Sequence, residues 1–305
     1  MAEETFKGIA RRGVSHQYSP RLFAFEHTPT THERRPENLL IFVGGLSDGL
    51  HTVPYTSDIA SNLSPSWTIA QVILSSSYDG WGTSSLQQDV EELSKCVAYF
   101  RTIKDGKIVL MGHSTGCQDA MEYLTGPGHE TRSPIDGAII QAPASDRESL
   151  VVMVGPDVYK KGCETATAMI ESGNGEAILP ACFSPSPAPV TARRWLSLAS
   201  PNHDGDDDYF SSDLTDEQLM KTFGSLPRSS PLCILYSGSD EYVAETIDKE
   251  ALVERWIDIV NRGNGKVDEL NSAVIKGANH NVSGNAESLE DLVERVVGFL
   301  GGIAR

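Results

Sequence analysis

The pentapeptide Gly112-His113-Ser114-Thr115-Gly116 constrains this chain more than any other feature. It matches G-x-S-x-G, follows the apolar run Lys107–Met111 and opens a helical pattern over Thr115–Leu124. A strand that turns sharply into a helix leaves the central serine exposed at the bend. Small residues are needed two places away on either side, because the backbone is crowded there. The helix start adds positive partial charge beside the serine, which suits a developing oxyanion. The pattern alone also arises by chance. With its strand before and helix after, it makes Ser114 the candidate nucleophile.

The rest of the chain repeats this alternation. Strand-like runs occur at Leu22–Phe25, Asn38–Val43, Trp67–Leu74, Gly137–Gln141, Leu232–Tyr236 and Ser272–Ile275. Helical patterns lie between them. In Ser85–Arg101 the residues Leu86, Val90, Leu93, Val97 and Phe100 share one face. Ser84 or Ser85 is the expected cap, with Gln87 or Gln88 completing a capping box. Another helix is expected around Thr246–Arg262, and a last one carries Leu289, Leu292, Val293, Val296, Val297 and Leu300. Strands separated by helices, at the spacing of about 30 residues that a βαβ unit needs, predict an α/β chain. Its sheet is mostly parallel, with helices on both faces. Residues 145–230 break that rhythm. They hold one evident helix, around Pro156–Ser172, a Pro-rich stretch at Pro185–Pro189 and the acidic run His203–Asp208. The expectation is a single domain over 1–305, with 145–230 inserted as a cap over the sheet's C-terminal edge.

A nucleophilic serine needs a base, and the base needs an orienting acid. Asp240 lies just past the strand Leu232–Tyr236, and His280 just past Ile275, each in a Gly-containing turn at the matching strand end. Those positions allow both to converge on Ser114 in the order Ser, Asp, His. Asp146, past the preceding strand, is the alternative acid. Of the other histidines, His16, His27 and His32 precede the first central strand, His129 follows a Gly-Pro-Gly turn, and His203 lies in the acidic run. His113 reads as packing, and His51 as a conceivable substrate contact. For the oxyanion, one donor is expected from the N–H of Thr115. The other is expected from the loop Gly44-Gly45-Leu46-Ser47-Asp48-Gly49, through the N–H of Leu46. That loop lacks the G-x-G-x-x-G spacing of a nucleotide site, and no phosphate-binding loop occurs elsewhere. Arg193, Arg194 and Trp195 read either as substrate contacts or as packing.

Composition narrows the partners. A formal charge of −17 disfavours nucleic acid and anionic membrane surfaces, both of which repel a polyanion. No apolar run approaches the length of about 18 residues needed for a spanning helix. The first residues lack the apolar stretch of a secretory signal, so the cytoplasm is the expected compartment and the two Asn-x-Ser sequons read as chance matches. Five scattered cysteines without a C-x-x-C pair predict neither a disulfide framework nor a thiolate metal site. The aspartates at 204, 206, 207 and 208 lack the spacing of a calcium loop and read as a solvated or cap-closing segment. No cofactor and no metal are expected; the partner is a small-molecule ester.

Four segments carry a resemblance: Phe42–Gly49, Ser77–Leu86 (Ser-Tyr-Asp-Gly-Trp-Gly-Thr-Ser-Ser-Leu), Gly112–Gly116 and Gly205–Phe210 (Gly-Asp-Asp-Asp-Tyr-Phe). Over nearly its whole length the chain resembles a group of fungal α/β-hydrolases. That group includes intracellular siderophore esterases acting on fusarinine-type ferric siderophores. The serine motif is shared by the whole superfamily, whereas the Gly-Trp-Gly-Thr-Ser-Ser-Leu stretch and the acidic run are more particular to this group. The resemblance implies an α/β-hydrolase fold and hydrolysis of esters linking hydroxyornithine-based units, with iron release inside the cell. Ser114, Asp240 and His280 are the implied triad. Two alternatives stay open: a general carboxylesterase or lipase-like hydrolase of another small ester, and a non-catalytic ligand-binding relative.

Overall fold

A strand covered on both faces needs apolar residues at consecutive positions rather than alternating ones, and Asn38–Val43 and Ile108–His113 have them. In the computed structural model, which describes residues 8, 10–28 and 36–304, both lie at the centre of one sheet. Eight strands of the described residues take part: β1 (Gly13–Ser19), β2 (Leu22–His27), β3 (Asn38–Val43), β4 (Trp67–Ile73), β5 (Ile108–His113), β6 (Gly137–Gln141), β7 (Leu232–Ser237) and β8 (Ala273–Ile275). Their order is β1-β2-β4-β3-β5-β6-β7-β8. β2 runs antiparallel to both its neighbours, and every other pair is parallel.

The pleat sorts side chains to two cores. Leu39, Ile41, Val43 and Leu110 face one side, where α2 (Leu86–Arg101), α3 (Gly116–Thr125) and α8 (Lys249–Arg262) cover them with Leu93, Met121 and Trp256. Leu40, Phe42, Val109 and Met111 face the other side, under α1 (Thr56–Asn62) and α9 (Ala286–Ile303), which supply Ile59, Leu292, Val296 and Phe299. Burying each such side chain is worth about 1.5–3 kcal/mol. The α/β expectation therefore holds. Ser85 caps α2 by accepting the Gln88 N–H at 3.2 Å, but the Gln88 amide donates to Glu92 at 3.2 Å. The expected capping box is only half formed.

Two elements of the body escape sequence reading. β1 (GVSHQYS) carries few apolar residues; its anchor is polar. His16 pairs with Glu26 at 2.9 Å, and Lys104 donates to Glu26 at 2.6 Å, all three buried. α1 buries only Thr56 and Ile59, too little to show a helical period.

Between β6 and β7 the chain adds α4 (Asp146–Val154), α5 (Pro156–Glu171), α6 (Ala192–Ala199) and α7 (Asp216–Thr222). The segment expected as one cap divides at the acidic run. Leu150, Cys163, Ala166, Val190, Trp195 and Leu198 form a separate small core, which Trp81 joins from outside the insertion. Tyr209, Phe210, Leu214, Leu219 and Phe223 return to the sheet's own core, where Phe223 stacks on Trp256 at 5.2 Å.

Candidate active site

β5 ends at His113 and α3 begins at Gly116, so Ser114 and Thr115 make the turn between them. Ser114 holds a left-handed backbone, φ +53°, which costs a non-glycine residue about 1–2 kcal/mol. Its N–H donates to the Gln141 carbonyl at 3.0 Å, pinning the bend to β6. The two flanking glycines are required by close approach. A Cβ on Gly112 would lie 2.1 Å from the Gly116 carbonyl oxygen, and one on Gly116 would lie 2.3 Å from that of Val43.

The turns after β7 and β8 are joined by two backbone bonds, Gly238 N–H to the Ile275 carbonyl at 2.9 Å and Ser239 N–H to the Ala278 carbonyl at 2.8 Å. They bring Asp240 and His280 together. Asp240 is buried, and its Oδ2 accepts from His280 Nδ1 at 2.7 Å. That bond fixes the proton on Nδ1 and leaves Nε2 as an acceptor. The other carboxylate oxygen accepts the Tyr242 N–H at 3.0 Å, and the His280 N–H donates to Glu241 at 2.9 Å. Tyr242 meets the His280 ring edge-on, with centroids 4.8 Å apart.

Ser114 and His280 line one pocket of about 280 Å³. Leu46, Asp48, Trp81 and Tyr242 line it too, as do Asp146, Ser149, Met153, Pro185 and Ser186 from the segment between β6 and β7. Among the described residues, neither the Leu46 nor the Thr115 N–H has an acceptor within the protein. The neighbouring Gly45 N–H is spent on Asp48 Oδ2 at 2.8 Å, so Leu46, unlike Gly45, keeps its donor free. Asp146 lines the pocket but takes its hydrogen bonds from Gln118 at 2.5 Å and Thr115 at 3.5 Å. The acid paired with His280 is Asp240.

Other residues singled out from the sequence fall elsewhere. The His51 ring packs edge-on against Phe25 and His27, at 5.0 and 5.7 Å, and not into the pocket. His113 does more than pack: its ring nitrogens face the side-chain amides of Gln141 at 2.6 Å and Asn281 at 3.0 Å, and its ring lies 4.9 Å from that of His280. Burial, and then His280, pull His113 down to about 4, so the ring is neutral. His203 pairs with Asp208 at 2.8 Å, and His129 faces Glu130 at the surface. His32 lies outside the described residues. Trp195 sits in the insertion's core and Arg193 pairs with exposed Glu176; neither reaches the pocket. Trp81 and Asp48 also line the pocket; from sequence they stood only as members of the Gly-Trp-Gly-Thr-Ser-Ser-Leu stretch and of the loop 44–49, without a role of their own. A tryptophan set between two glycines in a loop was the available signal.

The acidic run is not simply solvated. Asp207 is buried and accepts from Arg194 at 2.7 Å and from the Ser197 hydroxyl at 2.6 Å. Asp89, Asp119 and half-buried Asp146 lie near this pair, so three buried carboxyl groups and a fourth that is half-buried surround one guanidinium. Burial, and then Asp89 and Asp207, push the Asp119 carboxyl well above its ordinary value. A raised carboxyl in the folded state destabilises increasingly as pH rises above the unfolded value, because the native protein holds the proton longer. Asp119→Asn mimics the protonated form. The stability gap between this variant and the parent is therefore expected to widen in the variant's favour from about pH 5 to about pH 8. Urea unfolding across that range checks it, and a gap that narrows contradicts it.

Comparison with known proteins agrees with this architecture. The family described as "Protein of unknown function (DUF1749)" matches residues 3–301. The chain is 37% identical to "Fusarinine C esterase sidJ" of Aspergillus fumigatus, over 96% of each chain. It is 36% identical to "Esterase AN6793" of Emericella nidulans, over 95% of this chain and 92% of that one. Among solved structures, siderophore hydrolase EstB from Aspergillus fumigatus superposes with a TM-score of 0.85 at 37% identity, covering 97% of this chain and 98% of that one. A carboxyl esterase from Bacillus coagulans shares the fold at a TM-score of 0.63 and 14% identity, covering 98% and 100%. With its single reversed strand, its serine turn after β5 and a match along almost its full length, the chain is an α/β-hydrolase and belongs to the DUF1749 family.

Proposed function

We propose that this protein is a serine esterase that hydrolyses ester bonds of a fusarinine-type hydroxamate siderophore in the cytoplasm, and so releases iron. One observation carries the reading: the His280–Asp240 pair, bonded at 2.7 Å, opens on the same pocket as Ser114. The relatives named as siderophore esterase and siderophore hydrolase supply the substrate class.

Ser114 Oγ attacks the ester carbonyl carbon and passes its proton to His280 Nε2. Asp240 holds the ring on Nδ1 and stabilises the imidazolium. The carbonyl oxygen, now negative, accepts from the N–H groups of Leu46 and Thr115 at the start of α3. The carbon–alkoxy bond then breaks, and the departing oxygen takes the proton from His280. Water attacks the acyl-enzyme, gives its proton to His280, and that proton returns to Ser114 as the acid leaves. Iron enters only as cargo of the substrate.

The pocket suits one ester arm rather than a whole ferric complex, since about 280 Å³ falls at the small end of ligand sites. Among the described residues, no lysine or arginine lines it. A chain of formal charge −17 attracts a fusarinine unit with a free, cationic amine.

The test is competition between ferric fusarinine esters and short acyl esters, followed by mass spectrometry. Preferential cleavage of the siderophore, with one fluorophosphonate label on Ser114, is expected. If short acyl esters win by a wide margin, the protein is a general carboxylesterase. Absence of both turnover and label would make it a binding protein.

A further inference from the structure

Two sequence motifs remain without a role in this chemistry, Gly-Trp-Gly-Thr-Ser-Ser-Leu and the acidic run, and Arg194 joins them. The short 3₁₀ turn Tyr78–Thr83 carries Trp81, which is 4% exposed and forms part of the pocket wall. The indole N–H of Trp81 donates to Ser47 Oγ at 3.1 Å. Its carbonyl accepts from Arg194 Nε at 3.1 Å, while Arg194 Nη1 donates to Asp207 at 2.7 Å. The next residue is pressed against the insertion as well. Gly82 accepts the Thr191 N–H at 2.9 Å, and a Cβ there would lie 2.1 Å from the Pro189 carbonyl oxygen. Trp81 is thus clamped on its backbone side by the insertion and reaches with its ring to the loop that follows β3.

That loop needs holding. Ser47 has a left-handed backbone, φ +66°, a conformation that the surroundings must impose on a non-glycine residue. Asp48 ties the loop at Gly45, and Trp81 ties it at Ser47. Leu46, whose N–H is free, lies between the two ties. An amide that must point at a transient oxygen is effective only when its direction is set beforehand, and a displacement of about 1 Å in such a group can cost on the order of a hundredfold.

We propose that Trp81 is a positioning residue for ester hydrolysis: its indole N–H holds Ser47, and through it aims the Leu46 amide at the oxyanion. Arg194 and Asp207 make this hold depend on the insertion being seated. The inference rests on the reading of Ser114 as nucleophile.

Trp81→Phe keeps most of the ring wall and removes the donor; Ser47→Ala removes the acceptor from a half-buried loop with little risk to folding. With an aryl acetate as probe, each is expected to lower kcat on the order of tenfold, a fraction of the hundred- to thousandfold loss on deleting a whole oxyanion donor. KM should stay within about twofold, as for an interaction realised in the transition state. The double variant should be no slower than either single, because both remove one bond. Affinity for a trifluoromethyl ketone, which forms an oxyanion on Ser114, should fall in step with kcat. Wild-type kcat in Ser47→Ala, a raised KM at unchanged kcat in Trp81→Phe, or losses that multiply would each overturn the proposal. If Trp81→Phe fails to fold, Ser47→Ala with the ketone decides alone. Failure of the underlying reading looks different: Ser114→Ala would then hydrolyse the aryl acetate as well as the parent does.

Discussion

Ser114→Ala is expected to lower kcat for ester hydrolysis about a million-fold, the scale seen when a triad nucleophile is deleted. Among the described residues the side chain makes no bond on which the fold depends; the backbone N–H bond to Gln141 remains. Alanine inherits the left-handed backbone at φ +53°, so stability should change little. Glycine at the same place relieves that strain and should stabilise by about 1 kcal/mol, giving an equally inactive but firmer protein. The acid partner has a graded expectation. Asp240→Asn should cost on the order of ten-thousandfold, because the amide favours the wrong tautomer of His280. Asp146→Asn should cost far less, since Asp146 bonds to Gln118 and Thr115 rather than to the base. Initial rates with an ester substrate, together with fluorophosphonate labelling, check the activity of all four variants. A Ser114→Ala variant at near-parental rate would remove the nucleophile assignment, and an inert Asp146→Asn beside an active Asp240→Asn would reverse the choice of acid.

The second large effect concerns stability. Arg194→Met deletes a buried guanidinium and leaves Asp207 without its cation, with Asp89, Asp119 and Asp146 close by. Breaking a buried pair from one side costs about 3–5 kcal/mol, most of it the penalty of the abandoned charge. The loss should exceed that of an ordinary core truncation in the insertion, because one oxygen of Asp207 already lacks a partner. Lysine should not rescue it, as a single ammonium cannot reproduce the fork that spans the Trp81 carbonyl and Asp207. Adding Asp207→Asn to Arg194→Met should restore part of the stability, which marks the cost as electrostatic. Equilibrium unfolding in urea measures each term. A single Arg194→Met variant within about 1 kcal/mol of the parent would show that the cluster is solvated, as surface pairs are.

The body was readable where burial is two-sided or strictly periodic. Asn38–Val43, Lys107–Met111 and Leu232–Tyr236 announced central strands because both their faces are covered, and α2 and α9 announced themselves by a continuous apolar stripe. β1 and α1 did not, since one is anchored by a His–Glu–Lys group and the other buries two side chains. The segment between β6 and β7 was legible only in part. A break in the strand–helix rhythm marked where it begins, but Pro-rich and acidic stretches say nothing about which half returns to the sheet. Phe210 and Phe223 do so through contacts with Trp256, a residue far along the chain.

Local order carried the serine turn, its two glycines and the strand-end positions of Asp240 and His280, because each is dictated by backbone crowding or by the place where a strand stops. Which acid meets the base, what holds the Leu46 loop, and why an aspartate of the acidic run lies buried were decided only by the tertiary structure. These depend on bonds between segments remote in the chain: His280 to Asp240, Trp81 to Ser47, Arg194 to Asp207. Periodicity reports which face of an element is buried. It carries no record of what a polar group meets there, since a hydrogen bond is fixed by direction and distance across the fold and leaves no repeat in the sequence.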